Sequence, residues 1–272
     1  MHSSFIPPRQ VSIDDAAAFI GTTPEAIRRY HQAGLLSPEP GAGERQYAHD
    51  DVIRLLWIHK MADAGITLGD IRSVFEDQAP ANDQIAPDIQ RLRTPDGRIG
   101  LLSGFVATRL AGLPEGSLRQ ADLDSLLVSE RIFSPLGAAI QAGRFITVAT
   151  RPDLREESDR IDAAEEALDD TVDVDDPRVA QVAAQRHAFE RKLNTVIDES
   201  GLAEDNDAVF EAWDVLHSAD ADDTRDGDRC GTGPESLSVL EALGKMPYDF
   251  SPARLRCMEL AEELAAADLP AT

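Results

Sequence analysis

Three times in its first 70 residues the chain sets a hydroxyl three positions ahead of a carboxylate, at the head of an apolar stripe: Ser12-x-x-Asp15, Thr22-x-x-Glu25 and Thr67-x-x-Asp70. Each pair can satisfy the unpaired N–H groups of a helix start from both sides, so each predicts a place where a helix begins. Gly21, Gly34 and Gly65 follow the stripes and predict where helices stop. Such close punctuation restricts this region to short helices joined by tight turns.

The first helix carries Ile13, Ala16, Ala17 and Ile20 on one face. The second begins near Thr22 or Thr23, is assisted by Pro24 in its first turn, and turns Ala26, Ile27 and Tyr30 inward. Pro38, Pro40, Gly41 and Gly43 then exclude a helix and leave a turn and a short extended run holding Arg45 and Tyr47. A third helix follows with Val52, Leu55, Leu56, Ile58 and Met61, with Trp57 read as core. A fourth runs from Thr67 through Leu68, Ile71, Val74 and Phe75.

Taken together, "VSIDDAAAFIGTTPEAIRRYHQAGLLSP", "GERQY" and "WIHKMADAGITLGDIRSVF" resemble, in order, the N-terminal winged helix-turn-helix of MerR-type transcription regulators. The resemblance covers residues 11 to 77. It implies a reader whose second helix enters the major groove, with Thr23, Arg28, Arg29 and Tyr30 on that helix, Arg45 and Tyr47 on the wing, and His59 and Lys60 on the third helix as DNA-contacting candidates. Tyr30 can equally belong to the core. Arg29 stands where the family has an aromatic, and Ala48 where a Ser or Thr often caps the third helix. The implied partners are double-stranded promoter DNA, RNA polymerase holoenzyme, a small-molecule effector and a second copy of the chain.

Charge restricts how such a reader could work. The formal net charge is -24, and residues 1 to 77 alone hold seven Arg or Lys against eleven Asp or Glu. Diffuse attraction to a polyanion is excluded, leaving a few arginines at defined points. The alternative is a protein-interaction module built on the same fold.

Beyond residue 77 the family's single long pairing helix is interrupted by Pro87, Pro95, Gly97, Gly100 and Gly104. Thr94-Pro95-Asp96-Gly97 predicts a turn. Ile99, Leu102, Val106 and Leu110 predict a shorter pairing helix over residues 98 to 111. The remainder reads as helices over 120 to 131, 153 to 169, 177 to 199, 206 to 217, 235 to 244 and 251 to 267, with a strand possible only at "RFITVAT".

The expected class is mainly α: a winged helix-turn-helix over 1–77, a linker over 78–117, and an all-helical effector domain over 118–272. Eleven carboxylates between Glu156 and Asp176 read as a solvated surface. "DDTRDGD" makes an incomplete calcium loop, since Gly233 would stand where a bidentate glutamate belongs. Cys230 and Cys257 lack zinc or redox spacing. No cofactor, metal or enzymatic reaction is expected, and with no apolar run of about 18 residues the expected location is the cytoplasm. Phe189, Phe210, Trp213 and Tyr248 are candidates for lining a ligand pocket, against the plainer reading that they form core.

Overall fold

The computed structural model describes residues 7–36, 46–76, 86–217 and 237–268. Helices supply nearly all regular structure there. The chain divides into two compact units, one of residues 1–142 and 209–248, the other of residues 143–208 and 249–272.

The first unit opens with α1 (Ile13–Ile20) and α2 (Pro24–Gln32). Ser12 caps α1 through the Asp15 N–H at 3.1 Å, and Gly21 ends it at φ 83°, a conformation costly for residues with a Cβ. The cap of α2 is Thr23, accepting from the Ala26 N–H at 3.2 Å, not Thr22. Proline at the first helical position makes the residue before it the cap, so Glu25 stands one place too early to reach back. It bonds Arg28 instead, at 3.0 Å.

Next come α3 (His49–Asp63) and α4 (Leu68–Phe75). Four consecutive α3 residues, Leu55, Leu56, Trp57 and Ile58, are buried, which requires neighbours on all sides. Both α1 and α4 pack on α3. Without a hydroxyl at Ala48, α3 keeps half a capping box, the Ala48 N–H donating to Asp51 at 3.2 Å. Val11 and Tyr47 exchange backbone hydrogen bonds at 3.0 and 2.8 Å as an antiparallel β-bridge.

The segment after residue 86 departs from expectation. It forms α5 (Pro87–Arg91), α6 (Pro95–Arg98), a 3-10 turn at Ile99–Leu101 and α7 (Gly104–Leu110). The turn expected at 94–97 is thus a single helical turn capped by Thr94. A Cβ on Gly97 would lie 1.9 Å from the Arg91 carbonyl oxygen, so this close approach admits only glycine. The pairing helix expected over 98–111 is broken at Leu102 and Ser103. Ser103 donates its N–H to the buried Glu130 carboxylate at 2.6 Å and caps α7, two tasks that a continuous helix would forbid. Leu102, Val106 and Leu110 are buried within the unit.

A long helix, α8 (Gln120–Thr150), is interrupted at Ser134, where φ is 70° and ψ 167°. Pro135 then restarts it, with the Ser134 hydroxyl accepting from the Gly137 N–H at 3.5 Å. By length and composition α8 passes for a membrane-crossing helix, but neither side of the break reaches the roughly 20 continuous residues a bilayer requires. The helix predicted to end at 131 therefore continues, and "RFITVAT" is helical. Its Thr147 and Thr150 hydroxyls donate to carbonyls four residues back, at 2.8 Å each. Of the later helices, α11 (Leu202–His217) crosses from the second unit into the first, and α12 (Val239–Lys245) packs on α1. Lys245 reaches Asp15 at 2.5 Å.

The second unit contains the end of α8 with α9 (Pro152–Glu166), α10 (Pro177–Glu199) and α13 (Pro252–Ala267). Val148, Leu154, Ile161, Phe189 and Leu193 form one apolar cluster. Leu168, Val172, Val179, Val182, Ala183, Ala253 and Cys257 form another. The acidic segment is largely used up locally. Asp169, Asp173 and Asp176 accept backbone N–H bonds in turns at 2.8, 2.9 and 2.9 Å, while Asp162 and Glu165 grip Arg186 at 2.5 and 2.6 Å. Burial works against the Arg186 charge, but those two bonds outweigh it and hold the guanidinium above its ordinary pKa.

Candidate nucleic-acid interface

Helical spacing divides α2 into two faces. Ala26, Ile27 and Tyr30 are buried, whereas Glu25, Arg28, Arg29 and Gln32 form an exposed stripe, with Thr23 exposed at its N-terminal end. Arg28 shares its charge with Glu25. Arg29 has no carboxylate partner among the described residues, so it is the unneutralised cation of the helix.

The other candidates are held inward. Tyr30 lies in the core, where burial, with the Asp63 charge second, pushes its hydroxyl above the ordinary range. Tyr47 is 1% exposed, and its hydroxyl meets His31 Nε2 at 3.0 Å. Lys60 donates to Glu130 on α8 at 2.8 Å, and the Glu130 side chain is only 4% exposed. His59 lies beside Asp63 at 3.4 Å with its Nδ1 buried and without a hydrogen bond. Burial, helped by the Lys60 and Arg131 charges and opposed by Asp63, lowers its pKa, so the ring is neutral at pH 7. Arg45 lies outside the described residues, as do Cys230 and the "DDTRDGD" loop.

Two residues that sequence reasoning did not single out hold this unit together. Glu130 collects both Lys60 and the Ser103 N–H, and Arg131 donates to the Phe19 carbonyl at 2.6 Å, placing a cation at the C-terminal end of α1. Both partnerships span more than 25 residues, and no local pattern announces them.

The aromatic candidates for a ligand pocket are divided between the two units. Phe189 is buried in the second unit, while in the first Trp213 meets the Phe105 ring at 5.4 Å and Tyr248 meets the His49 ring at 5.3 Å. Phe210 is 45% exposed. Cys257 is buried, which pushes its thiol up to about 11. Among the described residues no three His, Cys, Asp or Glu side chains gather as metal ligands.

Comparison with protein families matches residues 11–78 to the MerR HTH family of regulatory proteins. No curated protein and no solved structure matches the chain.

Proposed function

We propose that this chain, a DNA-binding transcription regulator by the MerR-type helix-turn-helix of residues 11–78, binds double-stranded promoter DNA as a homodimer and distorts the promoter spacer in response to a small molecule. The observation that carries the reading is the exposed α2 stripe, where Arg28 and Arg29 stand with no acid between Glu25 and Glu39. Thr23, Arg28 and Arg29 are the direct contacts in this proposal, with Arg45 added from the wing by resemblance. Tyr30, Tyr47, His59 and Lys60 act from behind, fixing α2 and α3 in the unit that presents the contacts.

With so few cations and a strongly acidic body, non-specific affinity is low, and discrimination rests on the cost of bending and untwisting DNA. A distorted spacer lets RNA polymerase holoenzyme engage both promoter elements. The signal acts by binding one DNA-bound shape better than the other. The setting is the cytoplasm, and no reaction is assigned to the chain.

The test is a salt titration by fluorescence anisotropy on a duplex selected from a randomised pool. R28A and R29A each weaken binding and reduce the salt slope by about one for each phosphate no longer neutralised. K60M leaves the slope unchanged, because Lys60 is engaged with Glu130. Absence of DNA binding even at low salt refutes the proposal and favours the protein-interaction module.

A further inference from the structure

Against the outer side of α3, within the first unit, lies an open cleft of about 390 Å³ lined by Asp50, Asp51, Arg54, Trp57, Phe75, Arg98, Gln120 and Asp124, with Ile53 completing its wall. Its two cations are placed unusually. Arg54 and Arg98 approach the same Phe75 ring, with guanidinium carbons 4.3 and 5.4 Å from its centroid. Each is anchored by Nε alone, Arg54 to the Leu35 carbonyl at 2.6 Å and Arg98 to the Leu92 carbonyl at 2.8 Å. The terminal nitrogens of both forks have no acceptor among the described residues, although Arg98 is only 8% exposed.

Two of the three acids in the walls are engaged elsewhere. Asp124 accepts from Trp57 Nε1 at 2.6 Å and from Gln120 at 2.7 Å, and Asp51 caps α3. Burial lowers the pKa of both arginines, and at Arg98 the Arg54 charge adds to that effect against the pull of Asp124. Two partly buried guanidinium groups that share one ring and leave their terminal nitrogens without an acceptor among the described residues present two adjacent forks, the donor set that suits a planar anion.

We propose that this cleft binds a small organic monocarboxylate, its carboxylate held between the forks of Arg54 and Arg98 and its apolar part against the half-buried Ile53 and Phe75, with Trp57 behind them in the wall. Three aspartates in the walls set the selectivity: Asp50, Asp51 and Asp124 repel phosphate and dicarboxylates, and admit ligands bearing one negative charge. The site is tied to the reader, since Arg54 is bonded to Leu35 just beyond α2. This places the effector of the proposed regulator and to that extent rests on that reading, but the binding itself is measured without DNA, so the two can fail separately.

The probe is sodium benzoate, added at constant ionic strength to the full chain carrying W213F, which leaves Trp57 as the sole tryptophan. Benzoate gives a saturable change in Trp57 emission, benzylamine gives none, and inorganic phosphate fails to compete. R54Q and R98Q each weaken benzoate binding about tenfold or more, as expected for loss of a charge-assisted fork. If R98Q does not fold, R54Q decides. No saturable response to benzoate, an equal response to benzylamine, or unchanged affinity in R54Q overturns the proposal.

Discussion

Replacing Lys60 by Met tests whether that ammonium belongs to the protein interior or to an interface with DNA. The Glu130 side chain is 4% exposed and takes two donors, Lys60 at 2.8 Å and the Ser103 N–H at 2.6 Å. Removing one partner of a buried pair costs about 3–5 kcal/mol. Because the Lys60 side chain is 29% exposed, water replaces part of it, and the expected cost of K60M falls to about 2–3 kcal/mol. E130Q still accepts from Ser103 but turns an amide N–H toward the ammonium, for about 1–2 kcal/mol. In K60M/E130Q neither a charge nor a donor clash remains, so the double variant loses about 2 kcal/mol less than the sum of the singles. Both tryptophans, Trp57 and Trp213, lie in the first unit, so urea unfolding followed by tryptophan emission reads that unit alone. A coupling below about 0.5 kcal/mol refutes the inward role and frees Lys60 for DNA.

Three more perturbations are direct. Gly97→Ala places a methyl group against the Arg91 carbonyl, where only backbone can yield; the first unit loses about 1–3 kcal/mol, and an unchanged urea midpoint contradicts the close approach. His59 binds its proton less readily when folded than when unfolded, so its contribution is intact above the ordinary value of 6.5 and is lost as pH falls through the lower folded pKa. H59Q therefore flattens the decline in first-unit stability as pH drops below 6.5, and an equal decline in both proteins refutes the assignment. In a C230S background, Cys257 resists alkylation at neutral pH until the second unit unfolds; rapid labelling of native protein argues against its burial.

The reader was legible because its signals are local. Ser12 and Thr67 cap as spacing predicts, and the MerR-type match over 11–78 coincides with the resemblance read from residues. The choice between Thr22 and Thr23 is also local: Pro24 selects Thr23 as the cap, a stronger constraint than the hydroxyl–carboxylate spacing that favoured Thr22. Elsewhere long-range contacts decided. Residues 98–111 show a helical stripe, but Glu130 claims the Ser103 N–H and breaks the helix. "RFITVAT" has strand composition, yet Val148 joins the cluster around Phe189, and Arg144 forks onto Glu190. Arg54 and Arg98 escaped notice because a long stretch of sequence separates two side chains that share one ring.

The return of α12 to α1 alters how the chain can be divided. A cut after residue 78 or 142 severs Lys245 from Asp15, removes the Pro247 carbonyl from His49, and takes away the Tyr248 N–H that bonds the Pro8 carbonyl. The unit that holds the helix-turn-helix is thus closed by residues such as Pro247, 198 positions beyond its partner His49, after the chain has passed through its second unit. On a ribosome this unit cannot be closed until residue 248 has been made, and a message truncated before that point yields an unclosed unit rather than an unregulated one.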